Sequence, residues 1–205
     1  MNGQRAQLVK YKISPVHVVV IVLMLLGIWH VTSSVYIYAK AVLAQTLLQT
    51  AWEESLETGE NIKPWSWADT WPIARLEIPQ HDVDMIVLAG DSGRTLAFGP
   101  GHRFGTAAPG EHGNSVISGH RDTHFSFLKE LTSGDMLRVQ ARDGQYNFFT
   151  VTGSLVIDQD DAMFSVPEQG AALTLVTCYP FDEVEPGGTL RYVVFAEETH
   201  SKILL

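Results

Sequence analysis

The chain has 205 residues, of which 45% are hydrophobic, and this is enough for one compact domain plus one additional element. Its formal net charge of -9 and its pI near 5.3 argue against nucleic acid as a partner, because proteins that bind phosphate backbones carry clustered Lys and Arg. The single cysteine, Cys178, excludes an internal disulfide, so this thiol needs another explanation.

The first predicted element is an N-terminal membrane anchor. From Ile13 to Ala39 the chain carries no Asp, Glu, Lys or Arg, and a helix needs only about 20 apolar residues to cross the hydrocarbon core. The stretch is longer than the apolar region of a signal peptide, which has about 7–15 residues, and no small-x-small cleavage site follows it. We therefore predict a retained transmembrane helix over residues 13–39.

The charges on the two sides of this segment differ in sign. Arg5, Lys10 and Lys12 precede it, whereas several glutamates follow it after Lys40. Because short loops rich in Lys and Arg stay on the cytoplasmic side, we expect residues 1–12 to be cytoplasmic and the rest of the chain to be exported.

Residues 40–72 are predicted to form a stalk and a strap. Leucine and alanine recur at helical spacing in the first half, and Gly59 follows this pattern. In the second half, Pro64 and Pro72 break any long periodic element. We expect an extended strap whose tryptophans pack against the domain rather than bind a ligand, with an aromatic belt at the membrane surface as the alternative. These tryptophans are Trp65, Trp67 and Trp71.

From Ile73 onward, short β-like runs alternate with turns of Gly, Pro and Asp, which predicts one mainly β domain over residues 73–205. The runs are rich in Val, Ile, Thr, Phe and Tyr, and no long helix separates them. They indicate an antiparallel barrel or sandwich with one helical turn at Phe125–Leu131. The predicted strands are IARLEI, VDMIVLA, NSVIS, MLRVQAR, YNFFTVTGSLVI, LTLVTC and LRYVVFAE.

Three side chains at the ends of predicted strands could support nucleophilic chemistry. Cys178 ends an apolar run, where its thiol can reach solvent and act as a nucleophile beside a cation. His120 closes the run NSVIS and can transfer protons, and Arg191 opens the last run with a permanently charged, planar fork of donors. From spacing alone, a packing role for the cysteine and surface roles for the other two residues stay open.

Two other functions also stay open at this point. His120 and His124 have the i,i+4 spacing of a zinc-binding pair, with His102 and Asp122 in the same region. The Glu of an H-E-x-x-H motif is absent, however, and Gly119 argues against a helix there. The non-enzymatic alternative is an anchored binding module whose strand edges capture extended peptides, and such a module does not need the thiol.

One string of residues resembles the signature of a known family. Thr174-Leu175-Val176-Thr177-Cys178 is similar to the TLxTC signature of sortases, with His120 58 residues before the cysteine and Arg191 13 residues after it. The resemblance covers residues 64–196 and includes PWSWADTWPIARLEIP, LAFGPGH and PGEHGNSVISGHRDTHF, which are most similar to sortases of Gram-negative proteobacteria. It implies a closed eight-stranded β-barrel over residues 73–205, preceded by the transmembrane helix.

The resemblance also implies a function, that of a cysteine transpeptidase. Such an enzyme cuts an LPXTG-like motif between Thr and Gly, near the C-terminus of an exported protein, and passes the acyl group to an amine on the cell envelope. Cys178 would be the nucleophile that forms a thioester, His120 its proton partner and Arg191 the cationic clamp, while Thr177 would support the substrate. The implied location is the inner membrane, with a single span and the catalytic domain in the periplasm.

No cofactor or required metal is expected. Some sortases bind calcium through acidic loops, and several acidic residues here could imitate such a site. Solvated turns are the plainer explanation for these residues, which are Asp158, Asp160, Asp161, Glu183 and Glu185.

Overall fold

The N-terminal part of the chain is a long helix. The computed structural model describes residues 14–161, 170–183 and 187–199, and its first element is helix α1, Pro15–Thr58. Contacts divide the chain into two units, residues 1–43 and 44–205. In the first unit the apolar side chains of α1 are exposed, and by length and composition the helix is able to cross a membrane.

The second unit is built around a closed barrel, for which the described residues provide eight strands in the order β1-β2-β3-β4-β7-β8-β6-β5. The strands are β1 (Pro72–Ile78), β2 (Val83–Ala89), β3 (Gly101–His102), β4 (Gly113–Ser118), β5 (Met136–Ala141), β6 (Tyr146–Asp158), β7 (Ala171–Cys178) and β8 (Leu190–Glu198). A short helix at Gly93–Leu96 and 3-10 turns at Pro79–His81, Ser126–Glu130 and Gln159–Asp161 lie in the connections. The predicted fold class is therefore confirmed.

The expectation of a purely antiparallel sheet is wrong for two strand pairs. β3 runs parallel to β2, and β7 runs parallel to β4 over six residue pairs. The reason is the path of the chain, which leaves β4, forms β5 and β6 on the other side of the barrel, and returns to β4 as β7. Parallel neighbours need such a crossover, and local turn signals do not reveal it.

Strand alternation gives the barrel a filled interior and a separate apolar patch on its outer face. In β7, Leu173 and Leu175 belong to the main buried core, whereas Val176 belongs to a second cluster. This second cluster consists of Val116, Val176 and Val193 on β4, β7 and β8, and we call it the outer platform. The outer face of these three strands is therefore partly apolar.

The last turns of α1 belong to the second unit and pack on β2. Leu48 and Trp52 are buried against Ile86 and Leu88. Because removing a fully buried tryptophan side chain typically costs about 3–5 kcal/mol, these turns contribute substantially to the stability of the domain. Gly59 has a φ of 72°, a left-handed conformation that commonly ends helices.

The predicted strap contacts the rest of the domain through the side chain of Trp65 and the backbone of Trp71. The ring of Trp65 lies edge-to-face on Phe98, with centroids 4.9 Å apart. The carbonyl oxygen of Trp71 accepts a hydrogen bond from the backbone N–H of Ala89 at 2.9 Å. Trp67 differs, because 83% of it is exposed. The predicted domain boundaries at residues 40 and 73 stay a prediction.

Candidate active site

Cys178 is the last residue of β7, and its free thiol is exposed. Because Leu173 and Leu175 face the main core, the alternation of the strand puts Val176 and then Cys178 on the outer face. The thiol therefore lies at one end of the outer platform. This position agrees with the expectation that a cysteine at a strand end reaches solvent.

Arg191 is the direct partner of Cys178 in the antiparallel pair of β7 and β8. Residues opposite each other in such a pair have Cα atoms about 4.5–5.5 Å apart and side chains on the same face. Arg191 is therefore on the outer face beside the thiol, in line with Val193 of the outer platform. Two residues that are separated along the chain thus become neighbours.

His120 follows β4 on the other side of β7. The parallel register pairs Ser118 with Val176, and the N–H of Gly119 donates to the carbonyl oxygen of Val176 at 3.0 Å. Continuing this register by two residues puts the backbone of His120 level with Cys178. His120 is exposed. Since neighbouring strands lie about 4.8 Å apart, His120, Cys178 and Arg191 come side by side on three adjacent chain segments.

Thr177 holds two of these segments together. It is 2% exposed, and its hydroxyl donates to the carbonyl oxygen of Gly119 at 2.7 Å. This hydrogen bond continues the pairing of β4 and β7 to the level of the thiol. The geometry favours a role in positioning, and the predicted contact of Thr177 with substrate stays a prediction.

The turn at His120 passes closely over an aromatic ring. A Cβ atom on Gly119 would lie 2.6 Å from the ring of Phe125, which is fully buried. The N–H of Phe125 in turn donates to the carbonyl oxygen of His120 at 2.9 Å. Glycine is therefore required at position 119 for the chain to take this path.

We expect the substitution Gly119→Ala to lower the free energy of unfolding by about 1–3 kcal/mol, because the added methyl group overpacks a closed core. Gly153 is a matched control in a strand, since a Cβ there would meet no atom within 4 Å. Thermal or denaturant unfolding of Gly119→Ala and Gly153→Ala provides the measurement. Equal effects of the two substitutions would contradict the close packing of Gly119 on Phe125.

The guanidinium of Arg191 has several partners close to β8. Nη1 donates to the carbonyl oxygens of Gly188 at 2.7 Å and Leu190 at 2.8 Å, and Nη2 donates to Oε1 of Gln159 at 2.5 Å. Its charge also contributes to lowering the pKa of Asp158, after the larger effects of hydrogen bonds from Thr189 and Asp160. The end of β6 and the loop before β8 thus fix where this positive charge lies.

His124 does not add a second cation to this region. Burial lowers its pKa, and the proximity of His120 lowers it further. The imidazole of His124 is therefore neutral near pH 7, because a lowered pKa disfavours the protonated form. His102 is engaged elsewhere, since its Nε2 lies 2.8 Å from the carbonyl oxygen of Ala107 in a buried position.

The described parts of the chain contain no group of three or more His, Cys, Asp or Glu side chains arranged to hold a metal ion. The acidic residues considered for calcium are in part turn-forming. Asp158 accepts hydrogen bonds from the hydroxyl of Thr189 at 2.6 Å and from the N–H of Asp160 at 3.1 Å. Glu185 lies outside the described residues.

The outer platform extends the site away from the thiol. Ile157 and Phe195 pack against it, and beyond it lies an open cavity of about 390 Å³. Asn114, Thr174 and Glu197 contribute polar groups to the lining of this cavity. The three valines of the platform are themselves buried, so the platform supports the strands that carry the site and offers little surface to a substrate.

The sequence of β7 contains a signal for the outer platform. Thr174, Val176 and Cys178 share one face of a strand, and the opposite face carries Leu173 and Leu175. A strand with apolar residues on both faces predicts burial or contact on both sides. The cysteine therefore could have been assigned to an outer apolar surface.

Comparisons with known proteins show a family to which the chain is similar. A family model described as Sortase domain matches residues 76–199, a range that includes His120, Cys178 and Arg191. Sortase D from Bacillus subtilis (strain 168) is 33% identical over 122 residues, which are 60% of this chain and 61% of that protein. The match thus spans about three fifths of the length of this relative.

Two solved structures share the fold. A Sortase D5 transpeptidase from Clostridium perfringens superposes with a TM-score of 0.59 and 22% identity, covering 77% of this chain and 99% of that one. Sortase C from Clostridium perfringens, described with the C-terminal cell wall sorting motif, has a TM-score of 0.56 and 23% identity, covering 78% and 90%. At such identities the likeness establishes the fold alone.

Proposed function

Because this chain belongs to the sortase family, we propose that it is a membrane-anchored cysteine transpeptidase that acts on a C-terminal sorting signal. The observation that carries the proposal is the alignment of three groups on adjacent segments. Cys178 pairs directly with Arg191, and the register of β4 with β7 brings His120 level with the thiol. This arrangement supports a site in which Cys178 is the nucleophile, His120 the proton carrier and Arg191 the permanent cation.

The proposed reaction has two steps. The thiolate of Cys178 attacks the carbonyl carbon of the scissile peptide bond, a C–S bond forms, and the C–N bond breaks as protonated His120 gives a proton to the leaving amine. The resulting thioester is then attacked by an incoming neutral amine, a C–N bond forms, neutral His120 accepts a proton from that amine, and the C–S bond breaks to release Cys178 as the thiolate. Arg191 stabilises the oxyanion or the substrate backbone beside the thiol.

The substrate we propose is an LPXTG-like signal of an exported protein, cut between Thr and Gly. Membership of the family supports this choice, since the Sortase domain match covers residues 76–199. One similar structure, sortase C from Clostridium perfringens, is described with a C-terminal cell wall sorting motif. The acceptor in our proposal is an amine on the cell envelope.

The location we propose is the inner membrane, with the catalytic domain in the periplasm. The long apolar helix and the basic residues that precede it support this orientation. The three relatives come from Bacillus subtilis and Clostridium perfringens, so the comparisons do not support the narrower class of Gram-negative proteobacterial sortases. That class remains a proposal from the sequence segments between residues 64 and 124.

A topology experiment tests the location. A reporter that is active only outside the cytoplasm, fused after Leu205, is expected to give a signal, because Arg5, Lys10 and Lys12 retain the N-terminus inside. The matched control carries the same reporter before Met1. A signal from the N-terminal fusion and none from the C-terminal fusion would reverse the proposed orientation.

A transfer experiment tests the reaction itself. The full-length protein in detergent is incubated with an LPXTG-type peptide, with and without triglycine, and the products are followed by mass spectrometry. We expect the N-terminal part of the peptide on Cys178, followed by its appearance on triglycine. Transfer can exceed hydrolysis because a positioned amine reacts as if at an effective concentration of order 10⁵ M.

The control for this experiment varies the concentration of the amine. A transpeptidase gives a rising ratio of transferred to hydrolysed peptide as triglycine increases. Only hydrolysed peptide at every concentration, with no adduct on Cys178, would identify the protein as a protease and would contradict the transfer step.

A further inference from the structure

Arg121 connects the two loops that carry His120 and Cys178. It directly follows His120, and its side chain is only 10% exposed. Nη1 donates to the carbonyl oxygen of Pro180 at 2.6 Å, and Nη2 donates to the carbonyl oxygen of Glu183. Both acceptors lie in the loop that follows Cys178. One side chain on the histidine loop thus binds the backbone of the cysteine loop at two points.

This contact lies where the pairing of strands ends. The parallel register of β4 and β7 runs to Ser118 and Val176, and the side chain of Thr177 bonds to Gly119. Beyond that level β4 has ended at Ser118, whereas Cys178 still pairs with Arg191 of β8, so pairing with β4 does not fix the exact separation of His120 from Cys178. Past the last hydrogen bond between β4 and β7, the guanidinium of Arg121 still connects the segment of His120 with the segment of Cys178.

The loop after Cys178 has a second anchor on its other side. Tyr179 stacks on Tyr192 with ring centroids 6.2 Å apart, and Phe181 lies edge-to-face on Tyr192 at 5.2 Å. These rings fasten the loop to β8, the strand of Arg191. Without Arg121 the loop would keep its attachment to the arginine side and lose its attachment to the histidine side.

The chemistry of arginine suits this position better than that of lysine. A guanidinium is planar and presents donors in a fixed fork, which can reach two carbonyl oxygens at once. Nε of Arg121 also donates to Oδ1 of Asp122 at 3.2 Å, so a third hydrogen bond fixes the orientation of the guanidinium plane. Lysine has a single flexible ammonium group and cannot reproduce the three directed contacts.

We propose that Arg121 is a positioning residue that sets the separation and orientation of His120 relative to Cys178 by clamping the loop after the nucleophile. Its role in turnover rests on the proposed function, whereas the clamp itself does not. The residue touches neither the thiol nor the peptide in this scheme. It acts through the proton transfer that His120 makes to the leaving amine and from the incoming one.

The first test measures activity with the full-length protein in detergent and an LPXTG-type peptide. Arg121→Lys is expected to lower kcat by about 100-fold, because a displacement near 1 Å between reacting groups can cost a factor of that order, while KM changes less than threefold. The matched control is Arg142→Ala in the β5–β6 turn, whose guanidinium contacts Asn61. This control is expected to leave kcat and KM unchanged.

A double-mutant cycle separates positioning from a general structural role. The rate of acylation of Cys178 is measured by intact mass in Arg121→Lys, in His120→Ala and in the double variant. If Arg121 acts through His120, its substitution has no further effect once the imidazole is gone, so the cycle is strongly non-additive. Additive losses, or a kcat of Arg121→Lys within threefold of the unmodified protein, would overturn the proposal.

A second measurement does not depend on activity. Hydrogen exchange of the segment from Tyr179 to Glu183 is expected to rise at least tenfold in Arg121→Lys and to stay unchanged in Arg142→Ala. Unchanged exchange in Arg121→Lys refutes the clamp even when turnover falls. If Arg121→Lys does not fold, Arg121→Gln carries the same measurements, since its amide keeps an N–H donor. An unmodified protein that acylates no peptide refutes the proposed function, and the exchange data then still decide on the clamp.

Discussion

Replacing Cys178 by alanine is expected to abolish both cleavage and transfer, with a loss of about 10⁴-fold or more in kcat, because no other group can form the thioester. The side chain is exposed at the end of β7, so its removal leaves no cavity in the core and should not change the fold. The measurement is the rate of product formation from an LPXTG-type peptide, together with the thermal unfolding midpoint.

The same variant distinguishes the enzyme from an anchored binding module. A module that captures extended peptides would keep its function without the thiol, whereas the proposed enzyme retains at most peptide binding. Binding of the peptide to Cys178→Ala, measured by fluorescence anisotropy, is the control for an intact surface. Turnover above about 1% of the unmodified rate would mean that another group is the nucleophile.

Replacing Arg191 by lysine is expected to lower kcat/KM by about 10²–10³-fold. Lysine keeps the positive charge but loses the planar fork, and the loss of one well-placed oxyanion donor typically costs about 2.7–4 kcal/mol. The position opposite Cys178 supports this expectation. Steady-state kinetics with the peptide and triglycine provide the measurement, and His120→Ala, expected to lose about 10²–10⁴-fold, provides a comparison.

Gln159→Ala is the matched control for Arg191→Lys. This substitution removes the acceptor of Nη2 and leaves the guanidinium in place. Because Nη1 keeps its two carbonyl acceptors, Gly188 and Leu190, activity within a few fold of the unmodified protein is expected for Gln159→Ala. Near-normal turnover in Arg191→Lys would mean that only the positive charge at this position matters. It would contradict the proposal that the planar donor fork of Arg191 is needed.

The strands of the barrel were largely predictable from the sequence. The run VDMIVLA coincides with β2, and the other predicted runs overlap six further strands within two residues at each end. This agreement arises because period-two patterns of Val, Ile and Phe are local properties. The missed strand, β3, has two residues, Gly101 and His102, and exists only because Leu88 and Ser118 lie on its two sides. No local pattern contains that information.

The candidate site was predictable in part. Residue chemistry and the resemblance of the string around Cys178 to a known signature indicated the cysteine, the histidine and the arginine. The contacts of Gly119 and Arg121 were not predictable, because folding creates each of them. Gly119 is specified by the ring of Phe125, and Arg121 by carbonyl oxygens 59 or more residues away in the chain. Every residue has a backbone carbonyl group, so the sequence does not show which of these groups a side chain will contact.

The parallel pairing of β4 with β7 has a consequence for the newly made chain. Bringing His120 and Cys178 together closes a loop of almost 60 residues. The conformational entropy that the chain loses in this closure costs about 4 kcal/mol, and local contacts do not offset it. The β5–β6 hairpin and β8 must be in place before the pair gains its full stabilisation. In a partly synthesised or unfolded chain, Cys178 is therefore not held beside His120. In the proposed enzyme, acylation of Cys178 can therefore begin only once the barrel has closed.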